Sequence, residues 1–144
     1  MESSKPIDIL LVEDNPGDVR LTVEAFKDGH VLNTLHHVKD GVDALAFLNN
    51  EGEFANSPKP DIVLLDLNLP RMKGQDVLSH MRQDDRFKRI PVVALTTSNA
   101  KDDIDRCYAL GANAYIVKPV EFDKFIQVVN TFQQFWLKVV TLPD

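Results

Sequence analysis

At 144 residues, with 44% apolar and 26% charged side chains, the chain has the length and balance of one domain that buries a core without cross-links. Its net charge of -6 leaves no concentrated basic face, which argues against nonspecific binding to nucleic acid or to an anionic membrane. Cys107 is the only cysteine, so an intrachain disulfide is excluded and a cysteine zinc centre has no basis; with no leader-like stretch after Met1 and no apolar run of bilayer length, the expected location is the cytoplasm.

Ile7 to Val12 is an apolar strand that runs into Glu13-Asp14-Asn15-Pro16. Asn15 suits an N-cap and Pro16 the first helical position, so a helix should start there, with Val19, Val23 and Phe26 as its buried stripe and Asp28-Gly29 as its stop. Leu32 to Val38 alternates weakly and reads as a more exposed strand closed by the turn Lys39-Asp40-Gly41. Ala44, Leu45 and Leu48 mark a second helix, and the polar, proline-bearing stretch 49–60 reads as a surface loop. Ile62-Val63-Leu64-Leu65 is an unbroken branched apolar run, the pattern of a central parallel strand covered on both faces, and Asp66 ends it. Gly74 opens a third helix carrying Val77, Leu78 and Met81. Ile90 to Leu95 is another apolar run, stopping at Thr96-Thr97-Ser98. Asp102 to Leu110 is a short helix ending at Gly111, a position that favours positive φ. Ala114 to Val117 forms the last strand before Lys118-Pro119, and a long helix runs from about residue 121 to 136.

Five strands alternating with five helices point to an α/β, flavodoxin-like doubly wound (βα)5 domain. Its five-stranded parallel sheet should have strand order 2-1-3-4-5. The switch point of that order lies between the strands that end in Glu13-Asp14 and in Asp66. Three carboxylates converging there repel one another unless a cation compensates them, and an all-oxygen set with room for water suits Mg²⁺. Thr96 and Lys118, at the ends of the next two strands, add a hydroxyl and an ammonium. Singly, each residue has a plainer role: a helix-start acid pair, a turn Asp, a strand-end Thr, a surface Lys. Their coincidence along one sheet edge is the argument for a phosphoryl-acceptor site, since phosphoryl transfer needs mostly positioning and charge neutralisation.

The runs ILLVEDNPGD, IVLLDLNLPRMKG, IPVVALTTS and ANAYIVKPV together resemble the motif blocks of two-component response-regulator receiver domains, across about residues 7–132. The resemblance implies that Glu13 and Asp14 are the metal-binding acid pair and that Asp66 is the phosphorylated aspartate and a metal ligand. It makes Asn68 the residue whose backbone carbonyl ligates the metal. Thr96 would be the hydroxyl that meets the phosphoryl group, Lys118 the lysine that pairs with it and Tyr115 the switch aromatic. It further implies one receiver domain over 1–144, with a short tail at 1–6 and a C-terminal extension at 133–144. Such a protein catalyses its own phosphorylation and dephosphorylation but turns over no separate substrate. The ending FWLKVVTLPD and the NSPKPDIVLLDLNLPRMKG block with its long preceding loop are similar to the single-domain regulators paired with cyanobacterial phytochrome histidine kinases. A sensor kinase of that type is the expected partner.

Two rivals share the strand order or the nucleophile. A haloacid-dehalogenase-like phosphatase also uses an Asp and Mg²⁺, but its second Asp is here Asn68, which cannot act as a general acid. A flavodoxin-like FMN carrier wants a neutral phosphate loop where this chain has Glu13-Asp14. The eight residues after Trp136 are too few for a DNA-reading helix pair, so output is expected through protein contacts. The last helix carries one stripe from Phe122 to Trp136 that can cover the sheet. A second stripe, Val128, Phe132, Phe135 and Val139, is the expected interface of a homodimer.

Overall fold

The computed structural model describes residues 6–27 and 33–118. Within them five strands alternate with four helices: β1 (Ile7–Val12), α1 (Pro16–Lys27), β2 (Asn33–Val38), α2 (Gly41–Leu48), β3 (Ile62–Asp66), α3 (Gly74–Gln83), β4 (Val92–Thr96), α4 (Lys101–Ala109) and β5 (Ala114–Val117). The strands form one parallel sheet in the order β2-β1-β3-β4-β5, the doubly wound arrangement expected from the alternation. The Asp28-Gly29 stop, Leu32 and the last helix with both its stripes lie outside the described residues.

Side chains that alternate along each strand supply two separate cores. Ile9, Leu11, Ile62, Leu64, Val93 and Leu95 pack with Ala25 and Phe26 of α1 on one face. Leu10, Val12, Val63, Leu65, Val92 and Ala94 pack on the other face, with Phe47 of α2, Leu78 and Met81 of α3 and Cys107 of α4. This is why the strands read as continuous apolar runs: both faces are covered, so neither needs a polar residue.

The α1 stripe is turned from the expected one. Phe26 is buried, but its buried neighbours are Thr22 and Ala25, while Val19 and Val23 are only half-buried. Small side chains let the helix lie close to the sheet, and the Thr22 hydroxyl is satisfied by donating to the Asp18 carbonyl at 2.8 Å. Strand β4 starts at Val92 rather than Ile90, because Ile90 closes a turn onto the Phe87 carbonyl and Pro91 has no N–H to give the ladder. The 49–60 loop contains one 3-10 turn, Gly52–Phe54. Gly111 has a φ of 108°, as its place after α4 requires.

One glycine fixes the floor of the site. A Cβ at Gly74 would stand 2.4 Å from the Asp66 carbonyl oxygen and 2.7 Å from the Leu67 Cα. Only glycine lets the start of α3 come this close to the end of β3, so the loop 67–73 must fold tightly over the sheet edge.

Candidate functional site

In β1 and β3, Val12 lies opposite Leu65, so Glu13 and Asp66 leave adjacent strands side by side. In β4 and β5, Thr96 lies opposite Val117, which brings Thr96 and Lys118 to the same edge. The expected residues therefore meet because of register alone. Glu13, Asp66 and Thr96 are all buried, while Asp14 faces solvent. A cleft of about 340 Å³ opens above them, lined by Asp14, Asp18, Asp66, Asn68, Thr97 and Lys118 among others.

Glu13, Asp14 and Asp66 each present a carboxylate oxygen within 4.8 Å of the others. Asp14 and Asp66 line the open cleft and Glu13 lies buried beside them, so three hard oxygen donors with one open side leave space for water, which fits Mg²⁺ better than a closed protein cage. Asn68 sits at the mouth of the cleft. Its N–H donates to Asp66 Oδ1 at 2.8 Å, holding the carboxylate in place, and its side-chain Oδ1 accepts from the Thr96 hydroxyl at 3.2 Å.

Lys118 crosses the site from β5. Its Nζ donates to Glu13 Oε1 at 2.5 Å, Asp18 Oδ2 at 2.9 Å and Asp66 Oδ2 at 3.3 Å. Burial opposes its charge, but the hydrogen bonds to Glu13 and Asp18, with the Asp66 carboxylate nearby, outweigh burial and hold its pKa above the ordinary lysine value. Glu13 moves the other way from a normal acid, up to about 7. Burial is the largest cause and its hydrogen bond to Asp66 the next, against the lowering by Lys118 and the Asn15 N–H. A buried cluster with more carboxylates than ammonium groups thus shifts Glu13 toward its protonated form, and a divalent ion would favour the ionised one.

A second path leads away from the cleft. The Ser98 N–H donates to Thr96 Oγ1 at 3.2 Å, and the Tyr115 hydroxyl donates to the Ser98 carbonyl at 2.6 Å. Ser98 Oγ in turn donates to Asp103 Oδ2 at 2.5 Å, in the first turn of α4. Thr96 and Tyr115, singled out separately in the sequence, are connected through one residue that was not. Asp18 was also missed, although it lies inside the ILLVEDNPGD block. An acid in the first turn of the helix after an acid pair is the signal that could have found it.

A profile of the response regulator receiver domain matches residues 9–130. The chain belongs to that family. Response regulator Rcp1 of Synechocystis sp. is 44% identical over 142 residues, which is 99% of this chain and 97% of Rcp1. The crystal structure of the phosphorylated cyanobacterial phytochrome response regulator RcpA matches with a TM-score of 0.87 at 44% identity, over 97% of this chain and 100% of that one. The Mn²⁺-bound form of Rcp1 matches with a TM-score of 0.85, also at 44% identity, over 96% of this chain and 100% of that one. This receiver is a response regulator of the same kind, and membership of the family implies a histidine kinase as its partner. The phosphatase and FMN-carrier alternatives fall with that membership. Among the described residues no helix is long and apolar enough to cross a membrane.

Proposed function

We propose that residues 1–144 act as one cytoplasmic receiver, with a tail at 1–6 and an extension at 133–144. In this reading it accepts a phosphoryl group on Asp66 from a phytochrome-type histidine kinase and signals through protein contacts rather than nucleic acid. The observation that carries it is the convergence of Asp66, the Glu13-Asp14 pair and Lys118 in one cluster at the foot of an open cleft. An Asp66 carboxylate oxygen attacks phosphorus, the acyl phosphate bond forms, and the bond to the kinase histidine nitrogen breaks with its electron pair returning to the ring. Glu13, Asp14, Asp66 and the Asn68 backbone carbonyl would hold Mg²⁺, which supplies charge neutralisation when bound. Lys118 pairs with the arriving oxygens, and the same site later admits water for self-catalysed dephosphorylation. A phosphotransfer screen with Mg²⁺ against the histidine kinases of the source organism tests the partner. The phytochrome-type kinase is expected to label the chain fastest, and preferential labelling by a kinase of another class would overturn that assignment.

Signalling follows from the path through Ser98. In the resting chain the Thr96 hydroxyl is spent on Asn68, and a phosphoryl oxygen offers a stronger, charged acceptor. Drawing Thr96 toward it disturbs the Ser98 bond and with it the carbonyl that holds Tyr115, so the group biases two arrangements of one hydrogen-bonded chain. Pairing of two copies through Val128, Phe132, Phe135 and Val139 is supported by the sequence stripe alone, and Tyr115 is the proposed link that lets phosphorylation tighten it. Thr96→Ala should still be labelled, but chemical shifts at Cys107, Tyr108 and Tyr115 should respond to phosphorylation less than in wild type. Sedimentation of both proteins with and without acetyl phosphate should show association strengthened only in wild type. Wild-type shifts in Thr96→Ala refute the coupling, and a wild type that stays monomeric in both states refutes the pairing.

A further inference from the structure

Lys118 has three N–H donors and three carboxylate partners, and the proposed chemistry changes two of them. Glu13 and Asp66 belong to the cluster that would hold the metal, and Asp66 also takes the phosphoryl group. Asp18 belongs to neither. It sits in the first turn of α1, its N–H donating to the Asn15 side chain at 3.0 Å and its carbonyl accepting from Thr22 at 2.8 Å, so its backbone is held on both sides. Its carboxylate reaches Lys118 at 2.9 Å, closer than Asp66 does. A lysine is a point charge on a flexible four-carbon stem, and a site that depends on where that charge stands needs something to hold it.

We propose that Asp18 is a positioning residue, whose carboxylate keeps the Lys118 ammonium over the cleft when Glu13 and Asp66 turn to the metal and the phosphoryl group. The proposal rests on the phosphoryl-acceptor reading given above. A helix-start acid that only complements the α1 dipole would act without Lys118, and that difference can be measured.

The test is a cycle of Asp18→Ala and Lys118→Ala, read as the rate of labelling by acetyl phosphate with Mg²⁺ in excess. Asp18→Ala should slow labelling by about threefold to tenfold, the scale of one charge-assisted hydrogen bond discounted for a partner that is a third exposed. On the Lys118→Ala background it should add no further slowing. In Mg²⁺-loaded protein, the Lys118 ammonium protons should be protected from exchange in wild type and lose protection in Asp18→Ala. Equal slowing on both backgrounds, or a wild-type rate in Asp18→Ala beside an impaired Lys118→Ala, overturns the assignment of Asp18 alone. A wild-type rate in Lys118→Ala removes the role of Lys118 and overturns both readings.

Discussion

Asp66→Asn should remain folded and accept no phosphoryl group at that position, with labelling slower by at least about a thousandfold, as when a covalent nucleophile is removed. The carboxamide has the shape of the carboxylate but no anionic oxygen to attack phosphorus. Its side-chain oxygen still accepts from the Asn68 N–H, and Lys118 keeps Glu13 and Asp18, so the local structure has what it needs to persist. Stability should hold or rise. Asp66 is a buried carboxylate beside a second buried carboxylate, and it raises the Glu13 pKa by hydrogen bond and by charge. Removing one of two like charges from a buried pair relieves repulsion that the lone ammonium only partly offsets. Intact-mass measurement after incubation with acetyl phosphate and Mg²⁺, paired with a thermal melt, reads both effects. Full labelling of the variant at the wild-type rate would place the acceptor elsewhere.

The sequence was most legible where chemistry and periodicity coincide. Strands buried on both faces leave unbroken runs such as Ile62 to Leu65, and a charge at the end of such a run has few places to go other than the carboxyl edge. In the flavodoxin-like order Glu13 leaves its strand beside Asp66 and Thr96 stands beside Lys118, because adjacent strands pair in the register that keeps their apolar runs in the core. What the sequence hid depends on distance rather than pattern. Asp18 is remote from Lys118 along the chain, and only the seating of α1 brings them together. Ser98 looks like one more loop hydroxyl until its N–H, carbonyl and Oγ are seen to meet Thr96, Tyr115 and Asp103. The α1 stripe was misplaced for a related reason. Periodicity favours large apolar residues, while close packing on a sheet rewards Thr22 and Ala25, whose small side chains carry little hydrophobic signal.

Chelation of divalent ions should lower the labelling rate by at least about a hundredfold, since it removes the charge that balances three clustered carboxylates as an anionic group arrives. The same cluster makes metal binding depend on pH in a defined direction. Glu13 titrates near 7 in the folded, metal-free chain against an ordinary 4.5, so folding favours its protonated form. The contribution of that carboxyl to stability is complete below about 4.5 and is lost as pH rises through about 7. A divalent ion binds the ionised form and so opposes this loss. The rise in Tm on adding Mg²⁺ should therefore be larger at about pH 8.5 than at about pH 5.5, where the ion must first displace a proton. Glu13→Gln keeps the hydrogen bond from Lys118 but cannot ionise, so its Mg²⁺-induced rise should be smaller and nearly the same at both pH values. Thermal melts of the two proteins with Mg²⁺ or chelator decide the point: an equal rise in wild type at both pH values, or an unchanged pH dependence in Glu13→Gln, would show that Glu13 is not the carboxyl the metal discharges.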